Sequence, residues 1–156
     1  MSPTAPHLVF VCTGNTCRSP MAERILRNLL PENTPWTVSS AGVAAVPGGD
    51  ASEFAVRALA EKDLDLSDHV SRFADDDLIE EADLLVAMTA QHANALHHHF
   101  GAPPEKVRTL HSFGGRKPGA DVMDPFGGTL DTYRLTRDEL EQAILDLVLE
   151  LDSTHF

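Results

Sequence analysis

The residues best able to do chemistry lie close together near the start of the chain, in VFVCTGNTCRSPMAE, residues 9–23. Cys12 and Arg18 stand in the spacing C-x5-R, and Ser19 follows at once. A loop that leaves a strand and enters a helix turns several backbone N–H groups inward and adds the positive end of the helix dipole. Gly14 relaxes the steric limits on such a loop, and Asn15 is among the few other residues that accept a positive φ. Thr13, Gly14, Asn15, Thr16, Cys17 and Arg18 therefore read as a cradle for an anion. The guanidinium of Arg18 is a planar fork able to hold two phosphoryl oxygens at once. The same field favours the thiolate of Cys12, which lowers its pKa from about 8.5 toward roughly 3.5–7.5. A thiolate facing a cradled phosphoryl group is an activated nucleophile, and a hydrogen bond from Ser19 would stabilise the charge on sulfur. A cysteine ending a buried strand can equally be inert core, and C-x5-R alone arises by chance. The glycine, the asparagine, the strand before and the Ser-Pro after favour the chemical reading.

Attack by a cysteine on phosphorus also needs a proton donor for the leaving group and, later, a base for water. One carboxylate on a loop near the cradle can serve both ends. Residues 121–128, DVMDPFGG, supply two candidates. Asp124 is held extended by Pro125, and Asp121 is its rival in the same loop.

The elements that must position these groups follow from periodicity. Leu8, Val9, Phe10 and Val11 form a continuous apolar run that predicts a strand at 7–12, buried on both faces. Ser19 is placed to cap the next helix, with Pro20 at its first position, and Ala22, Ile25, Leu26, Leu29 and Leu30 share one helical face. Further strands are expected at 36–40, 84–88 and 107–110. Helical spacing recurs around Phe54 to Leu59, at 75–82 behind an Asp75-Asp76-Asp77 start, and at 90–100 behind a Thr89 cap. From Leu130 onward, Leu140, Ile144, Leu147, Val148 and Leu151 form the stripe of a long final helix. Alternating strands and helices predict an α/β fold: a four-stranded parallel sheet with helices on both faces, forming a single domain over residues 1–156. In such sheets ligands bind beyond the carboxyl ends of the strands, which is where Cys12 sits.

Composition narrows the partners. The chain has 156 residues, with 24 acidic against 12 basic side chains and a net charge of −12. Such a balance disfavours nucleic acid, whose phosphates need a basic surface. No apolar run approaches the roughly 20 residues that span a bilayer. The N-terminal segment lacks the charged and apolar regions of a secretory signal, so a cytoplasmic location is expected. Two cysteines alone cannot build a four-thiolate zinc site. His97, His98 and His99 point about 100° apart on a helix and cannot converge on one ion, so no metal and no cofactor are expected. His92 shares a face with Leu96 and His99; a solvated helix end accounts for the tract. Trp36 suits strand packing, and Tyr133 the exposed surface of the last helix.

The chain resembles the low-molecular-weight protein tyrosine phosphatase family. The resemblance is carried by VCTGNTCRSPMAE, by SSAG at residues 39–42, by ADLLVAMT at 82–89 and by DPFGG at 124–128. It implies Cys12 as nucleophile through a phosphocysteine intermediate, Arg18 as phosphate clamp and Asp124, rather than Asp121, as general acid. It also implies that Asn15, Ser19, Ser40 and His69 form a polar network holding the cradle. Tyrosine-specific members usually carry a pair of tyrosines after the Asp-Pro, where this chain has Phe126-Gly127. They also usually carry a bulky aliphatic residue where this chain has Thr16. Thr16, together with CTGNTCRSPMAE and DPFGG, makes the chain most similar to the bacterial protein-arginine phosphatase branch, with Thr16 and Phe126 as its specificity residues. The expected substrate is then a protein phosphorylated on arginine, with phosphate ion as product; protein phosphotyrosine is the alternative. The family's second cysteine, here Cys17, implies a disulfide with Cys12 on oxidation. Arsenate reductases of the same fold need further cysteines, which this chain lacks. A non-catalytic redox-sensing or phosphate-sensing domain is the remaining alternative.

Overall fold

The structure is a computed structural model that describes residues 6–155, with side chains through residue 151. Its centre is a four-stranded parallel sheet in the order β2-β1-β3-β4. The strands are β1 (His7–Cys12), β2 (Thr37–Gly42), β3 (Leu84–Ala87) and β4 (Val107–Thr109). β1 pairs with β2 along its whole length, from His7↔Thr37 to Cys12↔Gly42. That register moves β2 two residues beyond the expected end at Ser40 and leaves Trp36 outside the strand.

Alternation along β1 builds two cores. Leu8, Phe10 and Cys12 face one way, among residues of α1 (Arg18–Leu29), α2 (Glu53–Ala60) and α5 (Leu130–His155). Val9 and Val11 face the other, against Leu78 and Ile79 of α3 (Asp76–Glu81) and Leu96 of α4 (Ala90–His98). Burial on both faces explains the unbroken apolar run of β1. Thr89 caps α4 as expected, accepting from His92 N, and Asp75, in the acidic start expected of α3, caps it by accepting from Leu78 N. α5 is the long final helix, with Leu140, Ile144 and Leu147 fully buried.

Two expectations are corrected. α1 starts at Arg18, with Cys17 at its cap position and no capping side chain, so Ser19 lies inside the first turn. Its hydroxyl is instead drawn to the cradle. Tyr133 is 3 % exposed rather than on the surface, because α2 covers this end of α5 and Phe54 meets its ring edge-on at 5.7 Å.

Candidate active site

The strand order places β1 between β2 and β3, where connections leave to opposite sides of the sheet. Such a switch point opens a crevice at the carboxyl ends of the strands. Residues 13–17 fill that crevice as the turn between β1 and α1. Among the described residues, no backbone carbonyl accepts the N–H groups of Gly14, Thr16 or Cys17. Donors left unpaired beside a helix N-terminus suit an anion.

Asn15 shapes the turn. Its φ is +56°, the left-handed region that asparagine tolerates. Its side chain is fully buried and ties three segments together. Nδ2 donates to Ser19 Oγ at 2.8 Å and to Ser40 Oγ at 2.9 Å, while Oδ1 accepts from Arg72 N at 2.8 Å. His69 Nε2 stands 2.8 Å from the Asn15 carbonyl. The four polar residues implied by resemblance are therefore brought together behind the turn. Gly14 is less constrained than expected, since an added Cβ would meet only Thr16 Oγ1, at 3.7 Å. The demanding glycine is Gly42, where a Cβ would lie 2.3 Å from Thr13 O and 2.9 Å from Asn15 N. The end of β2 presses on the turn from below, and only a glycine admits that approach.

Cys12 lies at the floor, buried, with Sγ 2.8 Å from Ser19 Oγ. Burial pushes the thiol up from its ordinary pKa and is the largest influence. Hydrogen bonds from the Ser19 side chain, from the backbone N–H of Ser19 and of Asn15, and the Arg18 charge all pull it down. The expected lowering of the pKa is thus opposed by burial, which leaves the thiol raised.

Arg18 is buried along its length. Nη1 donates to Val122 O at 3.2 Å, and Nη2 stands 3.6 Å from Asp124 Oδ2. Val122 N in turn donates to Met88 O at 2.9 Å, so the end of β3 holds the acidic loop against the arginine. The two candidate carboxylates part here. Asp121 accepts from Ala90 N at 2.9 Å and so holds the start of α4. The Asp124 side chain is 56 % exposed and reaches the cavity, its Oδ1 accepting from Phe126 N at 3.1 Å. A cavity of about 250 Å³ is lined by Cys12, Thr13, Gly14, Thr16, Cys17, Arg18, Asp124 and Phe126. Phe126, 77 % exposed, forms one aromatic wall.

Sequence reasoning missed four residues around this site. Tyr133 Oη stands 3.3 Å from Cys17 Sγ, and burial pushes its phenol up to about 12. His92 is buried behind Thr13, with Nε2 2.8 Å from Thr13 Oγ1. Glu139 of α5 accepts from Met123 N at 3.2 Å and pairs with His111 at 2.6 Å, bracing the acidic loop. Gly42 was visible only as part of SSAG. His97 lies half-buried while His98 and His99 are exposed at the end of α4; among the described residues, no group of three His, Cys, Asp or Glu could hold a metal ion.

The sequence matches the family described as Low molecular weight phosphotyrosine protein phosphatase over residues 7–155. The chain belongs to this family. It is similar to the protein-arginine-phosphatase of Bacillus subtilis (strain 168), at 47 % identity over 145 residues, 92 % of this chain and 95 % of the relative. It is 36 % identical over 133 residues to the low molecular weight protein-tyrosine-phosphatase PtpB of Staphylococcus haemolyticus, covering 85 % of this chain and 91 % of the relative. Among solved structures, a mutant of the YwlE arginine phosphatase with a phosphorylated active-site serine superposes with a TM-score of 0.89. That match has 44 % identity and covers 96 % of this chain and 97 % of the other. The α/β fold is shared with that solved structure, and the phosphatase class of hydrolase is common to all of these.

Proposed function

We propose that the chain hydrolyses phosphoarginine on proteins through a phosphocysteine intermediate. The observation that carries the reading is one cavity lined by Cys12, Arg18, Asp124 and Thr16, with a single aromatic wall at Phe126. The phosphoryl group sits on the free N–H groups of the turn, with two oxygens on the fork of Arg18. The sulfur of Cys12 attacks phosphorus as a thiolate; the S–P bond forms and the P–N bond breaks. Asp124 delivers its proton to the departing guanidine nitrogen. It then takes a proton from water, whose oxygen attacks phosphorus. The S–P bond breaks, releasing inorganic phosphate and the thiolate. Ser19, 2.8 Å from the sulfur, stabilises the charge at both ends of the cycle. The similar arginine phosphatase structure with a phosphorylated serine at its active site supports a covalent intermediate.

Preference for arginine over tyrosine rests on the cavity wall. A phenol favours flat apolar walls, whereas a guanidinium favours hydrogen-bond acceptors and negative charge. Thr16 offers a hydroxyl and Asp124 a carboxylate, and one phenylalanine stands where a pair of aromatics would clasp a ring. The acidic surface supports a protein partner rather than nucleic acid, and no described helix is long and apolar enough to cross a membrane.

The test is kcat/KM on a phosphoarginine protein and a phosphotyrosine protein, for the native chain and for Thr16→Ile. Losing one hydroxyl contact and gaining one apolar contact should shift the ratio toward phosphotyrosine by about 1–3 kcal/mol. A native preference for phosphotyrosine, or a ratio that does not move, overturns the arginine reading and installs the tyrosine one.

A further inference from the structure

Behind the rim of the cradle runs a polar chain that the chemistry above does not use. Thr89 Oγ1 accepts the backbone N–H of His92 at 3.1 Å and stands 3.0 Å from Nδ1 of the same residue. Nε2 of that ring stands 2.8 Å from Thr13 Oγ1. His92 is 5 % exposed, while Thr13 is exposed and lines the cavity beside Cys12. Donor and acceptor capacities assign the hydrogens. Thr89 already accepts from the amide, so donating its own hydrogen to Nδ1 satisfies both sides of the hydroxyl. The ring proton then resides on Nε2 and is donated to Thr13 Oγ1. In the opposite tautomer the Thr89 hydrogen would find no acceptor among the described side chains and carbonyls. The charged groups facing the ring are Arg18, Asp121 and Asp124. Burial first, and then Arg18, hold its pKa down to about 4, so the imidazole is neutral and the chain runs one way. With one lone pair of Thr13 Oγ1 engaged by Nε2–H, the hydrogen of Thr13 has no acceptor among the described residues and is free to turn toward the cavity.

We propose that His92 is a positioning residue that turns the Thr13 hydroxyl into the cradle, where Thr13 donates a hydrogen bond to a phosphoryl oxygen. The inference rests on the phosphatase chemistry of this site, and it uses only the phosphoryl group that phosphoarginine and phosphotyrosine share. A fixed donor at the rim needs no reorientation when the anion arrives, which is where preorganised hydrogen bonds gain over water.

The experiment compares the native protein with Thr13→Val, His92→Leu, the double variant, Thr13→Ser and His92→Gln. Two readouts are taken: kcat/KM on p-nitrophenyl phosphate and the dissociation constant of inorganic phosphate by calorimetry. Thr13→Val and His92→Leu should each weaken both by about tenfold, the ordinary effect of one hydrogen bond to a charged acceptor. The double variant should be no worse than either single, because the two residues act as one unit. Thr13→Ser and His92→Gln, which restore the hydroxyl and a donor at the Nε2 position, should recover most of the loss. A double variant about a hundredfold down, the product of independent effects, overturns the proposal. So does a loss in His92→Leu with none in Thr13→Val, which would make the histidine mere packing. Thermal unfolding checks each variant. If His92→Leu does not fold, Thr13→Val against Thr13→Ser decides, and equal phosphate affinity in the two refutes the role of the hydroxyl. Loss of the phosphoarginine preference would leave all these ratios unchanged, so the two proposals fail separately.

Discussion

Asn15 is where the fold and the chemistry meet most tightly, and replacing it separates two effects that the structure superimposes. Asn15→Ala forces a Cβ residue without local hydrogen bonding into φ +56°, which costs about 1–2 kcal/mol. It also removes three side-chain hydrogen bonds, to Ser19 Oγ, Ser40 Oγ and Arg72 N. At about 1 kcal/mol each, these add roughly 3 kcal/mol. The expected loss is therefore roughly 4–5 kcal/mol, a large share of the roughly 5–15 kcal/mol that holds an ordinary domain. Asn15→Gly keeps the hydrogen-bond loss but relieves the backbone. It should be more stable than Asn15→Ala by about 0.5–1 kcal/mol after allowing for the freer unfolded chain. Urea unfolding of the three proteins measures both differences. In parallel, kcat/KM on p-nitrophenyl phosphate should fall about ten- to hundredfold in both variants, since Ser19 loses the bond that orients it toward Cys12. A loss below about 1 kcal/mol in Asn15→Ala would mean that the network does not hold the turn. Equal stability of the alanine and glycine variants would refute the backbone argument.

Two further outcomes follow from groups elsewhere on the site and scaffold. Glu61, at the end of α2, is held down to about 2 by hydrogen bonds from Arg134 and then Arg137 of α5. A lowered folded pKa stabilises above the unfolded value of about 4.3 and is lost as pH falls toward the folded one. The unfolding midpoint of Glu61→Gln should thus lie below that of the native protein at pH 7, with the gap closing toward pH 2; a gap that stays constant with pH removes Glu61 as the cause. Mild peroxide should convert Cys12 to a sulfenic acid, which the Cys17 thiol then condenses with, forming the disulfide and releasing water. Both cysteines are free and buried in the structure. Peptide mapping reads the result, and irreversible higher oxidation of Cys12 with Cys17 still free contradicts it.

Much of the frame was legible because local rules and tertiary needs agree there. The run at Leu8 to Val11 reads as a two-sided buried strand, and the two cores confirm it. Thr89 reads as a cap because a short polar side chain before a helix has one good use, and the acidic run at 75–77 reads as a helix start whose first residue does the same. Ser19 fits the same rule in sequence but does not follow it in the fold. In the first turn of α1 its hydroxyl faces both Cys12 Sγ and Asn15 Nδ2, and two buried partners outweigh one cap. Tyr133 was misread because the stripe from Leu140 to Leu151 sets only one side of α5. Near its start α5 is flanked by α1 and α2, so the buried arc widens to include the phenol. Gly42 and His92 act on the turn across sequence separations that no periodicity reports. A requirement for glycine at 2.3 Å from Thr13 O exists only once β2 lies beside β1.

The thiol of Cys12 shows why charge could be read from sequence and net effect could not. Arg18, the turn and the helix start all appear in CTGNTCRS, and each stabilises a thiolate. Burial at 3 % exposure is set by residues far along the chain, and it opposes them. The balance passes through Ser19, whose oxygen accepts from Asn15 and whose hydrogen has two acceptors in view, Cys12 Sγ at 2.8 Å and Ala41 O at 3.4 Å. While the sulfur keeps its proton, S–H donates to Ser19 and Ser19 donates to Ala41. Once the proton leaves, the hydroxyl needs only to rotate to donate to the thiolate. One buried serine thus satisfies both charge states of the sulfur without an unpaired polar atom in either. A cradle whose sulfur passes between thiol and thiolate requires that of the residue after Arg18.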